Sequence, residues 1–366
     1  MSPRRRVATD YPVDDGGPLL EVEDLTTAFR TPRGRLVAVD GVSLTLQPGT
    51  TLGVVGESGS GKTVLSRSIM RLLPQKGTET GGRVVFRGRE LTPLSRKELR
   101  QIWGAEMAMI FQDPMTSLNP TMKLGRQITE SLRYHLDMSR NEAREHAVAL
   151  LRSVGIPTPE RRLGEYPHQL SGGLRQRVTI AIALACGPRL LFADEPTTAL
   201  DVTVQAQILD LLAAQQRERS MTMVLVTHDL SVVAGRTDEI AVMYAGRIVE
   251  RAPTKVLFSK MKMPYTEALL ASLPRADRPS HTPLKVIPGR PPDLVDPPKG
   301  CRFAPRCSYA QDKCLAEDPP LREASPGHVY ACWFPVGTPA GRGALTANGR
   351  AAGAAPADPT LARSSP

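Results

Sequence analysis

Short alternating runs open the chain and continuous apolar runs follow them. Leu19 to Leu25 alternates apolar and polar residues in the manner of a half-buried strand. Val37 to Leu46 alternates again after a turn at Pro32-Arg33-Gly34. Gln47-Pro48-Gly49 then turns the chain into Thr51-Leu52-Gly53-Val54-Val55, which reads as a short buried strand. Val64 to Leu73 carries apolar residues at helical spacing. Gly82 to Gly88 and Met107 to Phe111 predict further strands, with a charged helix from Ser95 to Trp103 between them. Residues 123 to about 155 set Leu, Ile and Val on one helical face, closed by Gly155-Ile156-Pro157. An apolar helix over Val178 to Ala185 precedes two more buried strands, Leu190 to Glu195 and Thr222 to Thr227.

The polar residues that interrupt this pattern carry the chemistry. Between a strand and a helix stands Gly56-Glu57-Ser58-Gly59-Ser60-Gly61-Lys62-Thr63, the G-x-x-x-x-G-K-T spacing of a phosphate-binding loop. Its glycines let successive N–H groups face one anion, at a helix end whose dipole is positive. Lys62 is placed to reach the β- and γ-phosphates of a nucleotide, and Thr63 to hold Mg²⁺. A second anion site is expected where Ser171-Gly172-Gly173 opens an apolar helix. Buried strands end at Gln112, at Asp194-Glu195 and at His228-Asp229. A strand-end Gln such as Gln112 is either a Mg²⁺ or water ligand or a strand-end cap, a strand-end Asp suits Mg²⁺, an adjacent Glu suits a general base, and a strand-end His can stabilise a γ-phosphate. Phe29 is either a core residue or an aromatic stacked on a purine.

Composition narrows the class. The 366 residues carry a net charge of +10, with Lys and Arg spread over the whole length and no basic block interleaved with aromatics. That argues for a solvated surface near lipid and against nucleic acid as a partner. No stretch approaches the length of a membrane span, and the basic start Met1 to Arg6 lacks the apolar segment of a secretory signal.

Taken in order, the loop 56–63, Gln112, Leu170-Ser171-Gly172-Gly173, Asp194-Glu195, Ala199-Leu200-Asp201 and His228 resemble the ATP-binding cassette of ABC transporters over about residues 18 to 270. The resemblance implies an α/β fold: a P-loop core of mostly parallel strands with an antiparallel β part, and a helical subdomain at about 115–180. It also implies roles. Gly56 to Thr63 is the Walker A loop, Phe29 the adenine-stacking aromatic, Gln112 the Q-loop glutamine and Asp194 the Walker B aspartate. Glu195 is the general base, Asp201 belongs to the D-loop and His228 is the switch histidine. Leu170 to Gly173 is the signature, which in this family binds ATP held by the opposite subunit. Leu174 replaces the glutamine that many members carry next. Phe111 to Pro120 and Ala193 to Thr203 resemble the oligopeptide/dipeptide and nickel importer branch. The implied function is the ATPase subunit of a peptide importer, working with a second, paralogous cassette, two membrane permeases and a solute-binding protein at the cytoplasmic face of the inner membrane. Nickel or another small solute is the alternative cargo. A soluble cassette ATPase acting on nucleic acid, and a redox-sensing module, are the rival classes.

The C-terminal part departs from the cassette. Eight prolines between 274 and 298 predict a stiff linker over 271–300 that reaches out of the core. Cys301, Cys307, Cys314 and Cys332 follow as C-x5-C-x6-C-x17-C. Four thiolates suit zinc or an iron–sulfur cluster. Tight C-x2-C knuckles are absent, so the wider spacing favours a cluster, with Arg302 and Arg306 placed to offset thiolate charge. The same segment, 301–335, resembles the extension of D-type peptide-importer subunits, which implies [4Fe–4S]. Cys186 reads as inert core. Residues 1–17 and 336–366 are polar or low in complexity and are expected to be disordered.

Overall fold

The computed structural model describes residues 16–113, 117–198, 200–273 and 286–349. The expected disorder of residues 1–15 and 350–366, and three of the eight linker prolines (Pro274, Pro279 and Pro283), lie outside the described residues. So do Pro114, Met115, Thr116 and Ala199.

Two sheets carry the fold. The smaller is antiparallel, in the order β2-β1-β4-β5, from β1 (Leu20–Thr31), β2 (Gly34–Leu46), β4 (Thr78–Phe86) and β5 (Arg89–Glu90). The larger has the order β11-β12-β10-β9-β3-β8-β7-β6. Its parallel part holds β3 (Thr51–Val55), β6 (Met107–Ile110), β7 (Leu190–Asp194), β8 (Thr222–Thr227) and β9 (Glu239–Tyr244). Beyond β9 the pairing turns antiparallel, through β10 (Arg247–Pro253), β11 (Arg322–Ser325) and β12 (His328–Tyr330).

The parallel strands are buried on both faces, and their side chains alternate between two cores. Leu190, Phe192, Val224 and Val226 pack with the antiparallel sheet. Leu191, Ala193, Met223 and Leu225 pack on the helical side. That double burial explains runs without a polar face. Helices α1 (Lys62–Ile69) and α2 (Arg96–Ile102) precede the helical subdomain. The long helix expected over 123–155 is two helices, α3 (Leu124–His135) and α4 (Arg140–Ser153), followed by the short α5 (Pro159–Arg162). The break is local chemistry: Asp137 takes a left-handed conformation, and Ser139 and Glu142 close a reciprocal capping box at the start of α4. Helices α6 (Gly172–Leu184), α7 (Val202–Arg219) and α8 (Leu230–Val233) complete the layer over the sheet, and α9 (Thr254–Lys260) and α10 (Pro264–Ala271) follow β10. Among the described residues no helix is long and apolar enough to cross a membrane.

The extension folds back onto the cassette instead of reaching away. The N–H of Val37 donates to the carbonyl of Leu294, and Arg33 pairs with Asp293, so the described part of the linker runs along β2. Proline removes its own donor, but its neighbours still bind. After the short α11 (Asp312–Ala316), the β11–β12 hairpin adds to the edge of the core sheet through β10. Buried Glu250 locks this junction. It accepts the N–H of Lys262 at 2.5 Å and of Met263 at 3.2 Å, and lies 2.8 Å from Nε2 of buried His328. Glu250→Ala strands the buried Met263 amide, the half-buried Lys262 amide and a buried imidazole. It is expected to cost roughly 3 kcal/mol, read as a lower thermal midpoint of the full chain. An unchanged midpoint contradicts the lock. The tail expected to be disordered from 336 carries a helix, α12 (Pro339–Ala347), capped by the Thr338 hydroxyl, which accepts the Gly341 N–H at 3.1 Å.

Candidate functional site

The phosphate loop joins β3 to α1, and its glycines are required by close approach. Gly61 has φ +101°, and a Cβ there would lie 2.2 Å from the carbonyl oxygen of Ala38. A Cβ on Gly56 would lie equally close, 2.2 Å, to that of Met243. Any side chain at either position pushes the loop off the strands that support it. Lys62 is buried at the first turn of α1. Its ammonium donates to the carbonyls of Gly56 (2.8 Å) and Glu57 (3.0 Å). Burial lowers its pKa, opposed by the charges of Glu195, Asp194 and Glu57.

Thr63 donates its hydroxyl to Oδ1 of Asp194 at 2.9 Å, across from the end of β7. Asp194 is wholly buried, and its Oδ2 has no hydrogen-bond partner among the described residues. Burial raises its pKa, while Thr63, Arg67 and Lys62 pull it down and Glu195 adds to the rise. A hydroxyl beside a buried carboxylate with one oxygen unpartnered is a donor set that fits Mg²⁺.

One residue on, Glu195 adopts φ +44°, a left-handed conformation that is strained for a side chain of this size. Its backbone N–H is fixed by the carbonyl of Val226 at 2.9 Å. Three groups gather on its Oε2: Nε2 of Gln112 (3.1 Å), Oγ1 of Thr198 (3.0 Å) and Nδ1 of His228 (3.3 Å). The ends of β6, β7 and β8 thus bring the expected Gln112, Asp194, Glu195 and His228 to one place beside Lys62 and Thr63. Thr198 joins them without a motif of its own to mark it, three residues after Glu195 within the stretch Ala193 to Thr203. Tyr265, on α10, was also missed: its hydroxyl accepts the Glu57 N–H at 2.8 Å.

The other expected residues lie apart from this cluster. Ser171 caps α6 by accepting the Leu174 N–H at 3.4 Å, and Ser171 and Gly172 are exposed. Asp201 caps α7 through the Val204 N–H at 2.9 Å and is exposed. Val204 lies beneath Gly173, where a Cβ would come within 2.9 Å of it, so the two helix starts abut. Phe29 is half-buried on β1, in register with Leu36 and Thr78.

The metal site expected of the cysteines is not supported among the described residues. No disulfide joins them. Burial pushes the thiol of Cys301 up to about 11 and that of Cys332 up to about 12, and raises Cys307 and Cys314 as well. The thiols feel one another's charge, so they share a neighbourhood. Among the described residues, however, no group of three or more His, Cys, Asp or Glu side chains is arranged to hold a metal ion. The expected iron–sulfur cluster and its zinc alternative are therefore not supported. The two arginines expected to offset thiolate charge face elsewhere: Arg302 pairs with Asp40 and the carbonyl of Ala245, and Arg306 with Glu57. Cys186 is packed against the core, and burial raises its thiol to about 11.

Comparison with known proteins agrees with this geometry. The family model for ABC transporter matches residues 39–198, and that for the oligopeptide/dipeptide transporter C-terminal region matches residues 249–314. The oligopeptide transport ATP-binding protein OppD of Bacillus subtilis (strain 168) is 51% identical over 86% of this chain and 88% of its own length. OppD of Escherichia coli (strain K12) is 49% identical over 87% of this chain and 94% of its own. Among solved structures, the ATP-binding cassette MJ0796, described as a dimeric post-hydrolysis state bound to ADP and Pi, superposes with a TM-score of 0.58. It is 28% identical and covers 64% of this chain and 98% of that one.

Proposed function

This chain belongs to the ABC transporter family, in the branch of the oligopeptide transport ATP-binding proteins, and from that premise we propose how its site drives peptide import. It is the ATP-hydrolysing subunit of a multi-subunit importer of di- and oligopeptides. The observation that carries the chemistry is the convergence of Gln112, Thr198 and His228 on one oxygen of Glu195, next to the Thr63–Asp194 pair.

On this reading ATP enters over the phosphate loop, and Lys62 leaves the Gly56 and Glu57 carbonyls for the β- and γ-phosphates. Thr63 and Asp194 would hold Mg²⁺ with Gln112 beside them, which screens the charge of the phosphate oxygens. Glu195 takes a proton from water as that water attacks the γ-phosphorus in line. The bond to the bridging oxygen breaks, and ADP and phosphate leave. Gln112, Thr198 and His228 fix the carboxylate so that one oxygen points at the water. Phe29 stacks on the adenine. Ser171, Gly172, Gly173 and Asp201 serve the ATP of a second cassette, a paralogue docked head to tail. The exposure of Ser171, Gly172 and Asp201 at the abutting starts of α6 and α7, and the dimeric state of the MJ0796 cassette, support that pairing. The two cassettes sit at the cytoplasmic face of the membrane beneath two permease subunits, fed by a solute-binding protein. No step runs through the extension's cysteines.

Uptake by the complex reconstituted in vesicles tests the cargo. Labelled short peptides, a nickel chelate and a sugar are offered with ATP and the solute-binding protein. Peptide accumulation alone is the expected result. Accumulation of nickel or sugar without peptide overturns the cargo and leaves the ATP site intact.

A further inference from the structure

Arg306 belongs to the C-terminal extension, yet its guanidinium ends in the phosphate loop. Its chain position is fixed by a single 3-10 turn, Ala304–Arg306, anchored by buried Phe303 against Tyr244 and Tyr265 at ring separations of 5.2 Å. The side chain is buried, and all its nitrogens are engaged. Nε donates to the carbonyl of Pro288 (2.8 Å). Nη1 donates to Oε2 of Glu57 (2.6 Å) and the Tyr244 hydroxyl (3.2 Å). Nη2 donates to Oε1 of Glu57 (2.8 Å) and the Ile287 carbonyl (3.5 Å). A planar fork meeting both carboxylate oxygens is the geometry that arginine alone provides.

Glu57 is the second residue of the loop that must take an anion. Its N–H is held by Tyr265 and its carbonyl by Lys62. The Lys62 ammonium already faces three carboxylates, those of Glu195, Asp194 and Glu57. A triphosphate adds more negative charge to the same few ångströms. Asp194 and Glu195 have uses in the reaction, but a bare Glu57 carboxylate would only repel the ligand. We propose that Arg306 is a positioning residue for ATP: it neutralises Glu57 and pins its side chain, so that the extension completes the phosphate loop. The proposal rests on the ATP reading above and deepens it.

The test uses the full chain with Mg²⁺ and a fluorescent ATP analogue. Arg306→Ala is expected to weaken binding roughly tenfold by exposing the carboxylate. In a Glu57→Gln background the same substitution is expected to change affinity by less than about twofold, because no charge is left to neutralise. In the assembled transporter Arg306→Ala should raise KM for ATP with little change in kcat. An equal loss in both backgrounds makes Arg306 a mere anchor and overturns the proposal, as does undiminished binding by Arg306→Ala. Should Arg306→Ala not fold, Arg306→Gln takes its place, with a loss of roughly tenfold expected alone and less than about twofold in the Glu57→Gln background, and the same results overturn the idea. Failure of the unaltered chain to bind the analogue would refute the ATP reading itself, which is a separate outcome.

Discussion

Replacing Glu195 by glutamine is expected to lower ATP turnover by about 10²–10⁴-fold and to leave ATP affinity near that of the unaltered chain. Glutamine keeps the shape and still accepts from Gln112, Thr198 and His228 through its carbonyl oxygen, so the cluster stays together. It cannot take the proton of the attacking water. Binding depends instead on the phosphate loop, Thr63 and Asp194, which this change does not touch. With hydrolysis blocked, a closed pair of cassettes holding ATP should accumulate. Steady-state hydrolysis and analogue binding, measured on the same preparation, check both halves. Hydrolysis at an ordinary rate would remove Glu195 from the role of base.

Lys62→Ala acts on the other half of the site and is expected to lower kcat/KM by about 10²-fold or more. The ammonium is buried and bonded only to carbonyls of its own loop, which are poor partners compared with phosphate oxygens. Its bonds are therefore available for exchange when ATP arrives, and Lys62 is the one cationic residue within the sequence 56–63. The structural role is small, so thermal stability without nucleotide should change little. The stabilisation that ATP confers should disappear, since a ligand raises the midpoint only as far as it binds. ATP raising the midpoint of Lys62→Ala as much as that of the unaltered chain would contradict the role.

The parts legible in the sequence are those whose pattern is local. The loop at 56–63 is set by spacing alone, and the strands at 190–194 and 222–227 announce themselves because both faces are buried. The convergence of strand-end residues follows once those strands are parallel and adjacent, since their ends then share one edge. What escaped is set by contacts distant in sequence. The β11–β12 hairpin joins the core through Glu250 and His328, 78 residues apart. Arg306 and Glu57 stand 249 residues apart, and no periodicity links them. Arginines flanking cysteines suggested charge balance within the extension, but their length lets them reach the cassette. The break between α3 and α4 was within reach, because Ser139 and Glu142 have the capping-box spacing, yet the apolar stripe continues across it.

In a peptide importer, peptide arriving at the membrane side is expected to command the site built around Glu195. Hydrolysis of ATP by the assembled transporter, measured with and without peptide-loaded solute-binding protein, tests it most directly. Low basal hydrolysis that rises with loaded binding protein and stays flat with the Glu195→Gln chain is the expected result. Hydrolysis indifferent to peptide, or driven by DNA or RNA without the membrane subunits, would contradict it.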